Sequence, residues 1–445
     1  MTDPCLLTPL EEYFLLEDRP AYPWSFFVRL GCAGRADQQA AETALRTCLV
    51  RHPLLSSIAQ RRADGFWIWR RVEQPQPAVR WTTASAEQAY APATHLDVSA
   101  EIGVRLQTTV GPDSTQFIFQ FHHACCDARG AFTMVEDWLA EYARATGAGP
   151  DPGPPRDYDP GLLERRGRPE AAERQSHGAW RARCAGLVRA WRFLREKPVP
   201  LLDYQPARDE EPAPAGFPAS RNVRFDAAAT AEMRSTARQR GATLNDLLCC
   251  DLFLAVHGFR HELQPRQPDA WLRLAVPVDL RTPAQESMSA ANQASMVFVT
   301  RRASACDASA VLLQGIHREL QQVKTWGLAR TFLRGLQLRR RLPGGLARSV
   351  RNGKCGATAA LTNVGETLGG SRFPRREGRL VAGNLLLDAA DFLAPIRPLT
   401  CASFSACTYA GRLSISLQYD PRALSEPAAD RLFESFLGKL RSNLR

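Results

Sequence analysis

Between Ser114 and Tyr142 the spacing of the apolar residues changes abruptly, and that change constrains the fold more than any other feature of the chain. Over residues 114–123 the side chains alternate: Phe117, Phe119, Phe121 and His123 share one face, and Gln116, Ile118, Gln120 and His122 share the other. A period of two is that of a strand, whose successive side chains point to opposite sides. After Gly130 the period lengthens, and Phe132, Val135, Trp138, Leu139 and Tyr142 fall on one side of an amphipathic helix with Glu136 and Asp137 in its early turns. The segment reads strand, tight turn, helix. The turn carries His122, His123, Ala124, Cys125, Cys126, Asp127, Ala128, Arg129 and Gly130, and the two histidines point in opposite directions while the strand lasts.

The same two periods recur along the chain. Helical spacing is found over residues 37–51, ending at His52-Pro53, and over 164–197, 226–240, 243–259, 307–322 and 426–440. Thr243 with Asp246 three residues on is close to a capping box. Strand-like runs cover 66–72, 272–278, 296–301, 357–363, 380–388, 402–409 and 413–419. Both halves therefore mix strands and helices, which predicts an α/β chain in two α+β layers. A proline cluster over 206–218 marks the expected boundary, giving an N-terminal lobe over 1–200 and a C-terminal lobe over 201–445, with the linker near 200–220.

Composition narrows the function classes. No run of about 18 apolar residues occurs, and Met1-Thr2-Asp3-Pro4-Cys5 lacks the basic then apolar pattern of an export signal, so a cytoplasmic protein is expected. Its 12 cysteines then read as thiols, and with no C-x-x-C spacing no metal site is expected. The formal charge is +11, carried almost wholly by arginine, and such a surface attracts nucleotide phosphates, acidic carrier proteins or membrane headgroups. Nucleic acid is not expected as a partner, because no zinc finger, RNP-type motif or basic zipper is present. In the arginine-rich stretch, Trp180 and Trp191 are expected to pack between the lobes, with membrane contact the alternative.

The densest chemistry lies in the turn. A general base must project a group of near-neutral pKa from a scaffold that fixes its ring, and a strand end feeding a tight turn does both. His123, on the phenylalanine face, is the candidate base, and His122, on the reverse face, would bond backbone and hold the turn. Three other readings compete: a structural histidine pair, a zinc site, and a Cys126 nucleophile activated by His123. Neighbouring strand residues face opposite ways and cannot close a zinc tetrahedron, and a free cysteine is usually a small buried hydrophobe.

His122-His123-x-x-x-Asp127 resembles the HHxxxDG signature of the condensation-domain and chloramphenicol-acetyltransferase-like superfamily of acyltransferases. Further segments resemble that family in its own order: Arg51 to Leu55 its R-H-P-x-L text, Gly241 to Asp246 its G-A-T-x-N-D helix start, Val276 to Arg281 its V-P-V-x-x-R strand, and Leu361 to Gly365 its S-N-x-G strand. The resemblance covers most of the chain. It implies two similar lobes meeting at a V-shaped cleft, with an interlobe tunnel and the second histidine at its middle. His123 would then take a proton from an alcohol or amine acceptor as that group attacks the thioester of acyl-CoA or of an acyl carrier protein. Asp127 would turn away from substrate and pair with Arg281. Asn363 and Asn292 are candidate substrate-binding side chains, although capping or turn roles compete for both.

The family glycine after the acid is Ala128 here, so the turn is expected to close later, around Gly130, a further candidate substrate-binding residue. Leu368-Gly369-Gly370-Ser371 resembles a phosphopantetheine attachment site, but Pro374 breaks the helix such a serine must start. No adenylation motif, nucleophile elbow, P-loop or dinucleotide fingerprint accompanies it, so a free-standing, monomeric acyltransferase is expected, with no bound cofactor and a donor supplied in trans. Amide-forming condensation of the nonribosomal-peptide type and noncatalytic carrier docking are the alternatives. The basic run over 330–351 is expected to grip donor phosphates or an acidic carrier, against a merely solvated helix face.

Overall fold

A computed structural model describes residues 5–83, 95–167, 179–265, 269–351, 353–369 and 373–444. In chain order its strands are β1 (Cys5–Leu6), β2 (Ser25–Ala33), β3 (Ser57–Arg61), β4 (Trp67–Arg71), β5 (Ala78–Thr83), β6 (Val104–Val110), β7 (Ser114–His122), β8 (Ala219–Arg224), β9 (Trp271–Asp279), β10 (Ala294–Arg302), β11 (Ala359–Glu366), β12 (Arg375–Arg376), β13 (Arg379–Ala382), β14 (Leu385–Leu393), β15 (Ala402–Tyr409) and β16 (Arg412–Tyr419). The helices are α1 (Pro9–Glu17), α2 (Gln38–Arg51), α3 (Ala128–Thr146), α4 (Pro160–Glu164), α5 (Ala179–Arg195), α6 (Ala227–Gln239), α7 (Leu244–Leu263), α8 (Ser309–Thr325), α9 (Thr331–Arg340), α10 (Gly345–Arg351) and α11 (Glu426–Arg441). Among the described residues, no single helix is long and apolar enough to cross a membrane.

Two large sheets organise these elements. The first has the order β5-β6-β7-β2-β14-β13-β12 and the second β8-β16-β15-β11-β9-β10, while β1, β4 and β3 form a small third sheet. In the first, the register sets Phe26 opposite Phe121, Val28 opposite Phe119 and Leu30 opposite Phe117, which makes the middle of one face apolar. Helices α2 and α3 pack together over that face, and the Trp138 ring meets Phe117 and Phe119 edge-on at 4.8 and 5.0 Å. In the second, α7, α8 and α11 bury a separate core, with Phe436 against Phe404 at 5.1 Å. The capping box at α7 forms as read: Thr243 Oγ1 accepts from the Asp246 amide, and Asp246 Oδ2 accepts from the Thr243 amide at 2.8 Å.

The expected strand over 380–388 is instead a hairpin. Gly383 takes a left-handed backbone, φ +59°, and reverses the chain between β13 and β14. Strand β14 then runs antiparallel to β2, so residues 375–393 extend the sheet built from the N-terminal half. At the crossing, the buried Asp391 accepts from Arg29 Nε at 2.9 Å, Arg224 Nη2 at 2.6 Å and Ser414 Oγ at 2.6 Å. Burial alone would raise this carboxyl, but Arg224 and Arg29 outweigh it and hold it below the usual carboxylate range.

The expected helical stretch over 164–197 is divided between α4 and α5, and residues 168–178 fall outside the description. Trp191 does not pack between the lobes: it is 55% exposed on the outer side of α5, because Phe193 and Arg189 occupy the inner side. The side chain of Trp180, like Gly370 and Ser371 of the attachment-site look-alike, lies outside the described residues.

Candidate active site

Strand β7 ends at His122, and the next residues turn into α3 with Asp127 as its N-cap. The His123 amide still bonds the Trp24 carbonyl at 2.9 Å, which continues the pairing toward β2. Its ring falls on the phenylalanine face among aromatic neighbours: Phe14 at 4.3 Å, Phe26 edge-on at 5.1 Å and Trp24 at 6.0 Å between centroids. Set deep among these rings, His123 is nevertheless only half-buried, so solvent reaches it. Burial pushes its imidazole down to about 4, leaving it neutral through the physiological range. Nδ1 is buried without a hydrogen-bond partner, so Nε2 is the nitrogen that can meet a substrate. Two surface hollows, of about 730 and 880 Å³, open elsewhere and are not lined by His123.

His122 is fully buried and faces the other way. Its Nδ1 accepts from the Ala124 amide at 3.1 Å, which holds the turn, and its Nε2 lies 3.4 Å from Asp18 Oδ2, long and poorly aligned for a hydrogen bond but within ion-pair range. Asp18 also takes a 2.6 Å bond from His95 and accepts from the Trp24 amide at 2.7 Å. Burial works to raise the Asp18 carboxyl, but the two histidines hold it far below the ordinary range, and the bond to Asp18 in turn raises His95.

Asp127 is 4% exposed, and its carboxylate is taken up by groups other than the histidines. Arg281 holds it with both terminal nitrogens at 2.9 Å, and the amides of Gly130 and Gln293 donate to it at 2.9 and 2.7 Å. Burial opposes the charged carboxyl, and Arg281 more than compensates. Arg281 donates as well to the Ala291 carbonyl at 2.9 Å and to Asp279 at 3.1 Å. The anchored turn therefore rests on the loop that leads into β10.

That loop contains Asn292, whose side-chain amide donates to the His123 and Ala124 carbonyls, both at 2.9 Å. At 3% exposure it lines no cleft: it positions the backbone that carries the base. Asn363 is half-buried on β11, with its oxygen accepting from the Gly365 amide at 3.1 Å and its nitrogen 3.3 Å from Asn245. The first holds a local turn and the second ties β11 to the start of α7, and neither joins Asn363 to His123. Gly130 is needed for a reason other than backbone angle. Its φ is not positive, but a Cβ there would sit 2.9 Å from the Ala291 backbone N and O. Ala128 is simply the first helical residue after the cap, a position that alanine fills without strain.

A second buried network escaped the sequence. His52 Nδ1 accepts from the Ala290 amide at 3.0 Å, so Nε2 carries the hydrogen and donates to Asp137 Oδ2 at 3.2 Å. Burial keeps His52 neutral despite that carboxylate. The Tyr158 hydroxyl donates to the same oxygen at 2.8 Å. The end of α2, helix α3 and the loop holding Asn292 are thereby tied together. Arg51-His52 and Glu136-Asp137 were visible as separate pairs, but no spacing rule joins them.

Burial raises the Cys125 and Cys126 thiols far above their usual range, which argues against a Cys126 nucleophile. Among the described residues, no three His, Cys, Asp or Glu side chains cluster as metal ligands.

Residues 214–366 match the family model described as phthiocerol/phthiodiolone dimycocerosyl transferase C-terminus. No curated protein matches the sequence. The first condensation domain of the calcium-dependent antibiotic synthetase, in complex with a substrate analogue, is 15% identical over 99% of this chain and 96% of its own, with a TM-score of 0.70. The epimerization domain from the third module of tyrocidine synthetase B is 15% identical over 99% and 97%, with a TM-score of 0.64. Polyketide synthase associated protein 5 from Mycobacterium tuberculosis is 18% identical over 98% of both chains, with a TM-score of 0.62. The chain has the two-lobed α+β fold of the condensation-domain and chloramphenicol-acetyltransferase-like superfamily that its sequence resembles.

Proposed function

We propose that the protein is an acyltransferase that moves an acyl group from a CoA or carrier-protein thioester to an alcohol or amine, with His123 as general base. The observation that carries this reading is a neutral imidazole set deep in the fold, reached by solvent and held by groups that touch only its backbone and its turn. The family model's description as a transferase and the condensation domain's complex with a substrate analogue support the same chemistry.

In this reading Nε2 takes the acceptor proton as the oxygen or nitrogen attacks the thioester carbonyl. The carbon–sulfur bond then breaks and the leaving thiolate recovers the proton. Held near 4, the imidazole is neutral and free to accept that proton, and it returns it readily, at the cost of being a weaker base than a solvated histidine. Positioning plus one base suffices because the thiol leaves easily, and no covalent enzyme intermediate is needed. The Asp127–Arg281 pair and Asn292 act through the backbone, as positioning residues.

The donor is placed by charge. Helices α9 and α10 pack on α1, whose Phe14 touches His123, and Arg334, Arg339, Arg341 and Arg348 are exposed there. Arg340 is engaged, with its guanidinium 2.8 Å from Glu12 and over the Phe66 ring, and so is left out of the donor patch. Thiol release from a panel of acyl-CoA and acyl-carrier donors, with product masses for alcohol and amine acceptors, tests the reading. Turnover lost in His123→Ala at unchanged melting temperature is the expected result. Undiminished turnover in that variant would overturn it.

A further inference from the structure

Helix α5 shows two unlike sides. Inward, Phe193 packs on Phe298 at 4.8 Å and Arg189 bonds Glu319 at 2.8 Å. Outward, Leu187, Trp191 and Leu194 form a stripe at i, i+4, i+7 and are 72, 55 and 67% exposed. Round the helix from the stripe, past the 49%-exposed Val188, a hollow of about 730 Å³ opens between α5 and α8, lined by Val188 and by the exposed side chains of Val311 and Trp326. Exposed apolar residues that are contiguous, rather than scattered, mark a surface that meets something.

The charges say what that is. Arg192 and Arg318 line the same hollow, and the Arg195 guanidinium lies 5.0 Å over the Trp191 ring. None of the three has a carboxylate partner among the described residues. Glu319, the one carboxylate in the lining, is taken by Arg189 and Arg301 at 2.8 and 2.7 Å. A two-fold contact with a second copy would set this face against itself, guanidinium toward guanidinium. A sheet of anionic headgroups over acyl chains complements both the charge and the stripe.

We propose that the α5 stripe and the adjoining hollow rest on an anionic membrane surface, with the helix axis in the interfacial plane, the stripe among the acyl chains and the guanidinium groups on the phosphates. The proposal concerns where the protein sits and does not depend on the reaction assigned to His123.

Flotation of the full chain with phosphatidylcholine vesicles, and with vesicles also containing phosphatidylglycerol, tests it. Binding only to the anionic vesicles is expected, strongest at low salt, since the Debye length is about 10 Å at 0.1 M and shorter above it. Leu187→Ser, Trp191→Ser and Leu194→Ser together should lower the bound fraction about tenfold or more, with melting temperature unchanged. Arg192→Gln, Arg195→Gln and Arg318→Gln should lower it at low salt and remove its salt dependence. Failure of the wild type to float at low salt would overturn the proposal. So would undiminished flotation of the apolar triple variant, or a lipid-free dimer that this variant converts to monomer.

Discussion

Removal of the Asp127 carboxylate should cost stability before it costs chemistry. Asp127→Ala strips four hydrogen bonds from one 4%-exposed group: two from Arg281 and one each from the Gly130 and Gln293 amides. Breaking a buried ion pair from one side costs about 3 to 5 kcal/mol. Arg281 keeps Asp279 at 3.1 Å and the Ala291 carbonyl at 2.9 Å, which places the variant at the lower end, about 3 kcal/mol. Asp127→Asn keeps the N-cap oxygen, worth about 1 kcal/mol, and should lose correspondingly less. Urea unfolding followed by tryptophan fluorescence gives the loss, read from the first transition because two cores need not melt together. Arg281→Ala should cost a similar amount and the double variant little more, since the two share one interaction. A loss below about 1 kcal/mol in Asp127→Ala, with turnover abolished, would refute the positioning role and move this carboxylate into the chemistry.

His123 titrates near 4 when folded against 6.5 unfolded, so the unfolded chain binds more protons between those values. Stability should fall as pH drops through that window, and His123→Ala should flatten the profile when melting temperature is followed from pH 7 to 4. Turnover of the wild type should hold down to about pH 5, because the base stays neutral there; an acid limb centred near 6.5 would show the imidazole to be far better solvated. Gly130→Ala forces a Cβ to 2.9 Å from the Ala291 backbone and should cost about 1 to 3 kcal/mol, whereas Ala128→Gly at the helix start should cost under about 1 kcal/mol and leave turnover intact. His52→Ala leaves the Ala290 amide without its acceptor and should cost about 1 to 3 kcal/mol, with Asn292 loosened behind it. Amide hydrogen exchange at residues 288–293 reads that loosening.

The strand-turn-helix at the site was legible because β7 and α3 each carry one clean period. Strand β2 was not, since SFFVRLGCA lies between two other strands with little exposed face and shows no alternation to read. The hairpin at Gly383 was read as a single strand because one left-handed glycine is a weak interruption of a short apolar run. Asp127 with Arg281 came from the family resemblance. The role of Asn292 came only from the structure, because a bond across 169 positions leaves no trace in local spacing. Ala128 for glycine looked like a defect in the motif and is none, since the close approach that demands glycine falls at residue 130.

Strand β14 reaches β2 across 362 positions of sequence, measured at the Arg29 to Asp391 bond. During synthesis at roughly 5 to 20 residues per second, the far edge of β2 waits about 20 to 70 seconds for its partner to emerge. Over that time Phe26, Phe27 and Val28 stand on an open, apolar edge, the kind of template on which nascent chains pair wrongly. Yield of native protein from the ribosome therefore hinges on shielding that edge, and slower elongation or chaperone depletion should lower it before any mutation does.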